Sequence, residues 1–259
     1  MLLAIDAGNT NTVLGLYDGE SLVADWRMST VHEKMADEWA ATLITLMAHR
    51  GYALSDIDAA ILSSVVPPVT TALREMAEEY LHTELLLVEP GIKTGVKINV
   101  DNPREVGADR IVNTLAAHVR YGGPAIVIDF GTATTFDVVS PDGEYLGGAI
   151  SPGLVVASEA LFRYTAQLRR IELVAPRSPI GKNTVHAMQS GVVWGYISLV
   201  EGMVARIRHD MGDMGVSAKV IATGGLARLV ASNTTCVDIV DANLTLDGLR
   251  AIWELNREA

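Results

Sequence analysis

The chain of 259 residues contains a single cysteine, Cys236. No disulfide can close within it, and no cysteine-based zinc site is possible. Histidine is sparse and scattered: His32, His49, His82, His118, His186 and His209 show no metal-ligand spacing. Positive charge is also in deficit, and the formal net charge is −11. That balance argues against general nucleic-acid binding, which needs clustered Lys and Arg along the phosphates. It disfavours anionic membranes for the same reason. Small anionic ligands are not excluded, because a local group of amides and cations can hold one inside an acidic protein. No stretch reaches the roughly 20 apolar residues of a membrane span. The start, Met1-Leu2-Leu3-Ala4-Ile5-Asp6, lacks the basic segment and long apolar run of a signal peptide. With the lone cysteine, these absences lead us to expect a cytoplasmic protein.

Apolar residues make up 49% and charged residues 20% of the chain, the composition of an ordinary globular protein. The length suffices for one large domain or two ordinary ones. Leu2 to Ile5 is a short apolar run ended by Asp6 and Gly8. Val13 to Tyr17 and Ser21 to Met28 follow as strands around the hairpin signal Asp18-Gly19. Residues 33–50 carry Met35, Trp39, Leu43, Leu46 and Met47 at helical spacing, with Gly51 as the stop. Ala59 to Val66 reads as a buried strand ended by Pro67-Pro68, Thr71 to Leu81 as a helix, and Glu84 to Val88 as a strand. A good helix spans Ile111 to Tyr121, and a long apolar one Val185 to Ile207. The latter serves equally as a core helix or as an interface.

A second half repeats the first. Setting Asp129 over Asp6, an offset of 123 residues, lays Ile128-Asp129-Phe130-Gly131-Thr132-Ala133 over Ile5-Asp6-Ala7-Gly8-Asn9-Thr10. The turn Pro141-Asp142-Gly143 falls near Asp18-Gly19 on the same offset, and Lys219 to Ala222 runs into Thr223-Gly224-Gly225 as Ala60 to Leu62 runs into Ser63-Ser64. Internal repetition is a signal about the whole fold. It predicts two like domains, 1–122 and 123–259, each a mixed sheet flanked by helices. No Pro/Gly/Ser-rich linker separates them, so we expect close contact with a cleft between.

Each half opens with the same chemistry. In Asp6-Ala7-Gly8-Asn9-Thr10-Asn11-Thr12 a strand ends in a carboxylate and turns through glycine and hydroxyls. Gly8 lets backbone approach a ligand, and amides and hydroxyls can donate to phosphate oxygens. Asp6 can hold magnesium, directly or through water. A plain hairpin turn uses the same residues. The second copy, Asp129-Phe130-Gly131-Thr132-Ala133-Thr134-Thr135, turns the balance toward a clamp on nucleotide phosphates. Thr223-Gly224-Gly225-Leu226-Ala227 would then lie against the purine or ribose, although Gly-Gly alone is a generic turn marker.

These three pieces, in this order, resemble the actin-like and sugar-kinase-like ATPases over nearly the whole chain. That resemblance implies an α/β fold of two ribonuclease H-like domains with an ATP cleft between them. The run Asn102-Pro103-Arg104-Glu105-Val106-Gly107-Ala108-Asp109-Arg110 narrows it, together with Gly147-Gly148-x-Ile150-x-Pro152-Gly153, Gly181-x-x-Thr184 and Leu244-Thr245-Leu246-x-Gly248-Leu249. This combination looks like the type III pantothenate kinases. The resemblance implies transfer of the ATP γ-phosphate to pantothenate, giving 4′-phosphopantothenate in the first step of coenzyme A biosynthesis. It makes Asp109 the general base; read by itself, Asp109 is equally an N-cap. It implies ATP contacts from Asp6, Ala7, Gly8, Asn9, Thr10, Asn11, Thr12, Val13 and Thr132. Substrate contacts come from Val100, Gly107, Ala108, Asp109, Arg110 and Thr184, and Thr184 could also be a helix cap. Arg104 is either a partner for the pantothenate carboxylate or a solvated surface residue. Asp129 is implied to hold a monovalent cation, potassium or ammonium, beside the magnesium that accompanies ATP. A homodimer is also implied. The sequence departs from the family at Val100, where many members have tyrosine, so a phenol contact to the substrate is missing. A non-kinase ATPase would need insertions for which the length leaves no room. A regulatory member that has lost catalysis is disfavoured because Asp6, Asp109 and Asp129 are all present.

Overall fold

β1 (Leu2–Ala7) has no polar alternation, and in the computed structural model, which describes residues 1–257, it is a central strand covered on both faces. It pairs antiparallel with β2 (Asn11–Asp18), and β2 pairs with β3 (Ser21–Ser29). After α1 (Ala36–His49), β4 (Ala59–Ser64) returns parallel to β1 on its other side. After α2 (Pro67–Met76), β5 (Leu85–Leu87) lies parallel to β4. The first sheet is therefore mixed, in the order β3-β2-β1-β4-β5. α3 (Ala108–Tyr121) follows.

The second sheet repeats the scheme. β6 (Ala125–Phe130) pairs antiparallel with β7 (Ala133–Val139), and β7 with β8 (Tyr145–Pro152). Next come α4 (Leu154–Tyr164), α5 (Thr184–Gln189), α6 (Gly195–Asp210) and α7 (Asp213–Ser217). β9 (Lys219–Thr223) lies parallel to β6; α8 (Ala227–Ala231) leads to β10 (Ile239–Val240), parallel to β9. The order is β8-β7-β6-β9-β10, the first sheet's pattern strand for strand. The fold is thus α/β, with two similar mixed sheets flanked by helices. α9 (Leu244–Asn256) ends the chain's described elements.

Two compact units result. The first holds Met1–Val96, Asp101–Ala116 and the stretch from Asn243 on; the second holds Lys97–Val100 and Ala117–Ala242. In the first, alternate β1 residues feed opposite cores. Leu3 and Ile5 meet Trp39, Leu43 and Met47 of α1 and Leu73 of α2. Leu2 and Ala4 meet Val112 and Leu115 of α3 and Leu246, Leu249 and Ile252 of α9. In the second, Ile126, Ile128 and Phe136 pack with Val192, Val193, Tyr196, Val200 and Val204. The apolar face of the long helix is therefore accounted for as core of its own unit.

Some expected boundaries shift for physical reasons. Pro67-Pro68 opens α2 rather than merely ending a strand, because proline fits the first helical turn, where no amide partner is needed. α2 runs on through a π-helical turn over Ala77–Leu81, and α5 joins α6 through another over Ser190–Trp194. α1 starts at Ala36, and the Glu38 carboxylate accepts from the Met35 amide at its entrance. α4, α9 and the two-residue β10 are elements beyond those read from the sequence. Among the described residues no helix is long and apolar enough to cross a membrane.

α9 approaches α3 with almost no space between backbones. A β-carbon on Gly248 would stand 2.4 Å from the Val112 carbonyl oxygen. In an open helix Gly→Ala stabilises by about 0.5–1 kcal/mol. Here Gly248→Ala is expected to destabilise by about 1–3 kcal/mol, because two helix backbones must part. Denaturant unfolding checks the sign; a stabilised variant would show that the helices can separate freely.

Candidate active site

In the first unit β1 delivers Asp6 to the end of the sheet. Asp6 stands beside Val13 of β2 and Ser63 of β4. Gly8-Asn9-Thr10 forms the turn, closed by the Gly8 amide donating to the Asn11 carbonyl at 3.0 Å. Asn9, Thr10 and Asn11 are exposed, Asp6, Gly8 and Val13 are half-buried, and Ala7 is buried. Thr12 is fully buried, and its hydroxyl shares a 2.9 Å hydrogen bond with Thr30. Thr30 in turn donates to the Gly8 carbonyl at 2.7 Å. Thr12 therefore braces the turn from within, and the exposed polar side chains sit at its tip.

Asp109 belongs to the same unit. The Gly107 carbonyl accepts the first bonds of α3, from the Arg110 and Ile111 amides at 3.1 and 3.3 Å. Gly107 is thus the cap residue, and Asp109 lies inside the first turn. Its Oδ1 folds back to accept from the Arg110 amide at 2.9 Å. That posture needs glycine at 107: a β-carbon there would stand 2.5 Å from the same oxygen. Burial pushes the Asp109 carboxyl above its ordinary pKa, opposed by hydrogen bonding to the Arg110 amide and by the guanidinium charge. Ala108 and Arg110 are half-buried around it, and Arg104 is exposed on a short 3₁₀ turn.

The second unit reproduces the turn. Asp129 stands beside Thr135 of β7 and Thr223 of β9, as Asp6 stands beside Val13 and Ser63. The Gly131 amide donates to the Ala133 carbonyl at 3.1 Å, closing a turn one residue shorter than the first. Thr132 is exposed at its tip. The Gly-Gly turn abuts the carboxylate: Gly224 has φ +87°, and a β-carbon on it would stand 2.4 Å from Asp129 Oδ1. Asp129 and Thr223-Gly224-Gly225 are therefore brought together, as the order of the motifs implied. Val100 lies beside Gly147, where an added β-carbon would touch Val100 Cγ1 at 3.6 Å. Thr184 is exposed at the first position of α5; the cap is Asn183, whose side chain accepts from the His186 amide at 2.9 Å. Thr184 is not spent on capping.

Two contributors escaped sequence reasoning. The Gly153 amide donates to the Thr132 carbonyl at 3.0 Å and so holds the turn's tip. Tyr196 of α6 shares a hydrogen bond with Thr134 beneath the same turn. Burial raises the Tyr196 pKa, hydrogen bonds from Thr134 and the Leu154 backbone oppose the rise, and the nearby Asp129 charge adds to it. The available signal was a tyrosine on an otherwise aliphatic helix face, since a buried phenol needs a partner. Among the described residues no group of three or more His, Cys, Asp or Glu side chains could hold a metal ion unaided.

A family model described as Type III pantothenate kinase matches residues 2–206. A type III pantothenate kinase from Geobacillus sp. (strain WCH70) is 52% identical over 99% of this chain and 98% of its own length. One from Moorella thermoacetica is 51% identical over 99% of this chain and 100% of its own. Among solved structures, a protein from Campylobacter jejuni described as a Baf family transcriptional activator matches with a TM-score of 0.62 at 18% identity, covering 99% of this chain and 100% of its own. The activator of 2-hydroxyisocaproyl-CoA dehydratase from Clostridium difficile, solved with bound ADPNP, matches at 0.57 and 14% identity, covering 99% and 96%. At those identities the structural matches speak to fold alone.

The raised Asp109 carboxyl has a consequence for stability. Its contribution is fully present below the unfolded carboxyl pKa of about 3.9 and is lost as pH rises through the higher folded value. Asp109→Asn removes that loss and keeps an oxygen for the Arg110 amide. The variant should melt above the parent at pH 7, with the advantage shrinking as pH falls toward the ordinary carboxyl range. A pH-independent advantage would trace the effect to something other than the buried charge.

Proposed function

Because the chain belongs to the type III pantothenate kinase family, we propose that it transfers the γ-phosphoryl group of ATP to the hydroxyl of pantothenate, giving 4′-phosphopantothenate and ADP at the start of coenzyme A biosynthesis. The observation that carries this reading is the duplicated turn, Asp6 and Asp129 at equivalent register positions of two like sheets. Asp6, residues 7–13 through their backbone and the exposed side chains of Asn9, Thr10 and Asn11, and Thr132 contact ATP. Gly107, Ala108, Asp109 and Arg110 contact pantothenate, with Val100 and Thr184 as further contacts. The exposure of Asn9, Thr10, Thr132 and Thr184 supports these roles, as does the posture of Asp109.

In this chemistry little covalent work falls to the protein; positioning and charge stabilisation dominate. The pantothenate hydroxyl oxygen bonds to the γ-phosphorus as the bond to the bridging oxygen of ADP breaks, and the hydroxyl proton passes to Asp109. A raised carboxyl pKa suits an acceptor of that proton better than an ordinary carboxylate does. ATP dependence implies a divalent cation such as magnesium, which would neutralise phosphate charge. Asp6 offers the hard oxygen ligands that such an ion takes alongside nucleotide phosphates. We assign potassium or ammonium to Asp129, whose Oδ1 lies close to Gly224 and Gly131. We also read the protein as a cytoplasmic homodimer. Exposed Ile150, Val155, Val156, Leu161 and Phe162 in the second unit support an association surface.

Purified protein should release ADP only when pantothenate is supplied; pantothenate-independent release or none at all favours an inactive regulatory member. Asp109→Asn should lower turnover about 10²–10⁴-fold. ATP affinity by calorimetry should stay within a few-fold, and near-normal turnover would reduce Asp109 to a helix-end carboxylate. For the cation, turnover should require potassium or ammonium, and Asp129→Asn should lose that requirement with most activity. Equal rates in sodium-only and potassium buffers count against Asp129 as the ligand.

A further inference from the structure

Tyr196 lies in α6, more than 60 residues beyond the second turn, and is 6% exposed. Its ring packs on Phe130 with centroids 6.3 Å apart at 57°, and Phe130 directly follows Asp129. Its hydroxyl meets Thr134, which is fully buried on the other limb of the same turn. One side chain therefore grips both limbs, and Gly131, Thr132 and Ala133 span the space between them. Leu154, the first residue of α4, lies near the same hydroxyl. The residue before it, Gly153, donates its amide to the Thr132 carbonyl at 3.0 Å. Gly153 sits so close that a β-carbon would stand 2.4 Å from both the Gly131 and the Thr132 carbonyl oxygens. The phenol thus fixes the limbs directly, and Gly153 at the start of α4 holds the tip.

We propose that Tyr196 is a positioning residue for the nucleotide: its hydroxyl sets the geometry of the Asp129–Thr135 turn by holding Thr134 while its ring packs on Phe130, without touching a reactant. The proposal rests on the kinase reading above. A buried phenol could merely fill the core, but the ring alone does that. The hydroxyl is the part that bonds to the turn itself, through Thr134. A turn that loses this tie keeps its residues but samples more conformations, and ordered amides and hydroxyls bind phosphate better than mobile ones.

Tyr196→Phe keeps the ring and removes only the tie. Affinity for a non-hydrolysable ATP analogue, measured by calorimetry with magnesium and potassium present, should weaken about 3- to 10-fold, and the KM for ATP should rise in parallel. The KM for pantothenate should stay within twofold. Thr134→Val should reproduce the loss from the other end of the bond, and Thr134→Ser, which keeps the hydroxyl, should restore most of the affinity. Should Tyr196→Phe fail to fold, the Thr134 pair decides the matter alone. Parent-like analogue affinity in the soluble Phe and Val variants, with only the melting temperature changed, would make Tyr196 a core residue and overturn the proposal. A parent protein that binds no nucleotide overturns the kinase reading, and this inference with it.

Discussion

Beside the Asp129 carboxylate there is no space for a side chain at position 224. Gly224 approaches it so closely that a β-carbon would stand 2.4 Å from Oδ1, and Gly131 turns the chain away immediately after Phe130. Gly153 then closes on the carbonyls of Gly131 and Thr132. The rest of the second unit's site depends on this crowding. A strand brings a charge to the sheet's end, and the turn after it leaves Gly131, Thr132 and Ala133 exposed. The parallel pairing of β6 with β9 is what brings the Gly-Gly turn to the aspartate, because Asp129 and Thr223 are register partners.

The first unit solves the same problem with different residues. Asp6 and Ser63 stand where Asp129 and Thr223 stand in the second. Its turn is one residue longer and is braced by hydroxyls, Thr12 to Thr30 to Gly8, rather than by a neighbouring glycine. Duplication thus preserved the strand order and the position of the carboxylate. The means of stiffening each turn diverged.

Asp109 carries a cost in stability. A carboxylate at the start of α3 gains from the helix dipole and the Arg110 amide, yet its burial raises its pKa, so the ionised form is held against a penalty. That penalty is sustained because α3 is clamped elsewhere. Val112 and Leu115 lie in the core with α9, Gly248 lets the two helices touch, and Thr245 donates to Asn113 at 2.7 Å. α9 packs along α3 and holds it steady.

Much was legible from residues in order. Strand ends marked by Asp-x-Gly, the repetition of that pattern, and the Gly107-Ala108-Asp109-Arg110 run are local features, because turn and helix-start chemistry depends on near neighbours. The central strands announced themselves as unbroken apolar runs. Other properties depend on which faces meet across long separations. Nothing near Leu244–Asn256 says that α9 packs with β1, some 240 residues earlier. Thr12 reads as a ligand-facing hydroxyl until β3 is laid beside it with Thr30. Tyr196 reads as one more apolar residue of a long helix until the sheet turns Thr134 toward it. Local chemistry and the strand-and-turn pattern were determined by the sequence alone. Which hydroxyl braces which turn was decided by the tertiary structure, because a hydrogen bond between distant elements exists only once their backbones have been set in register.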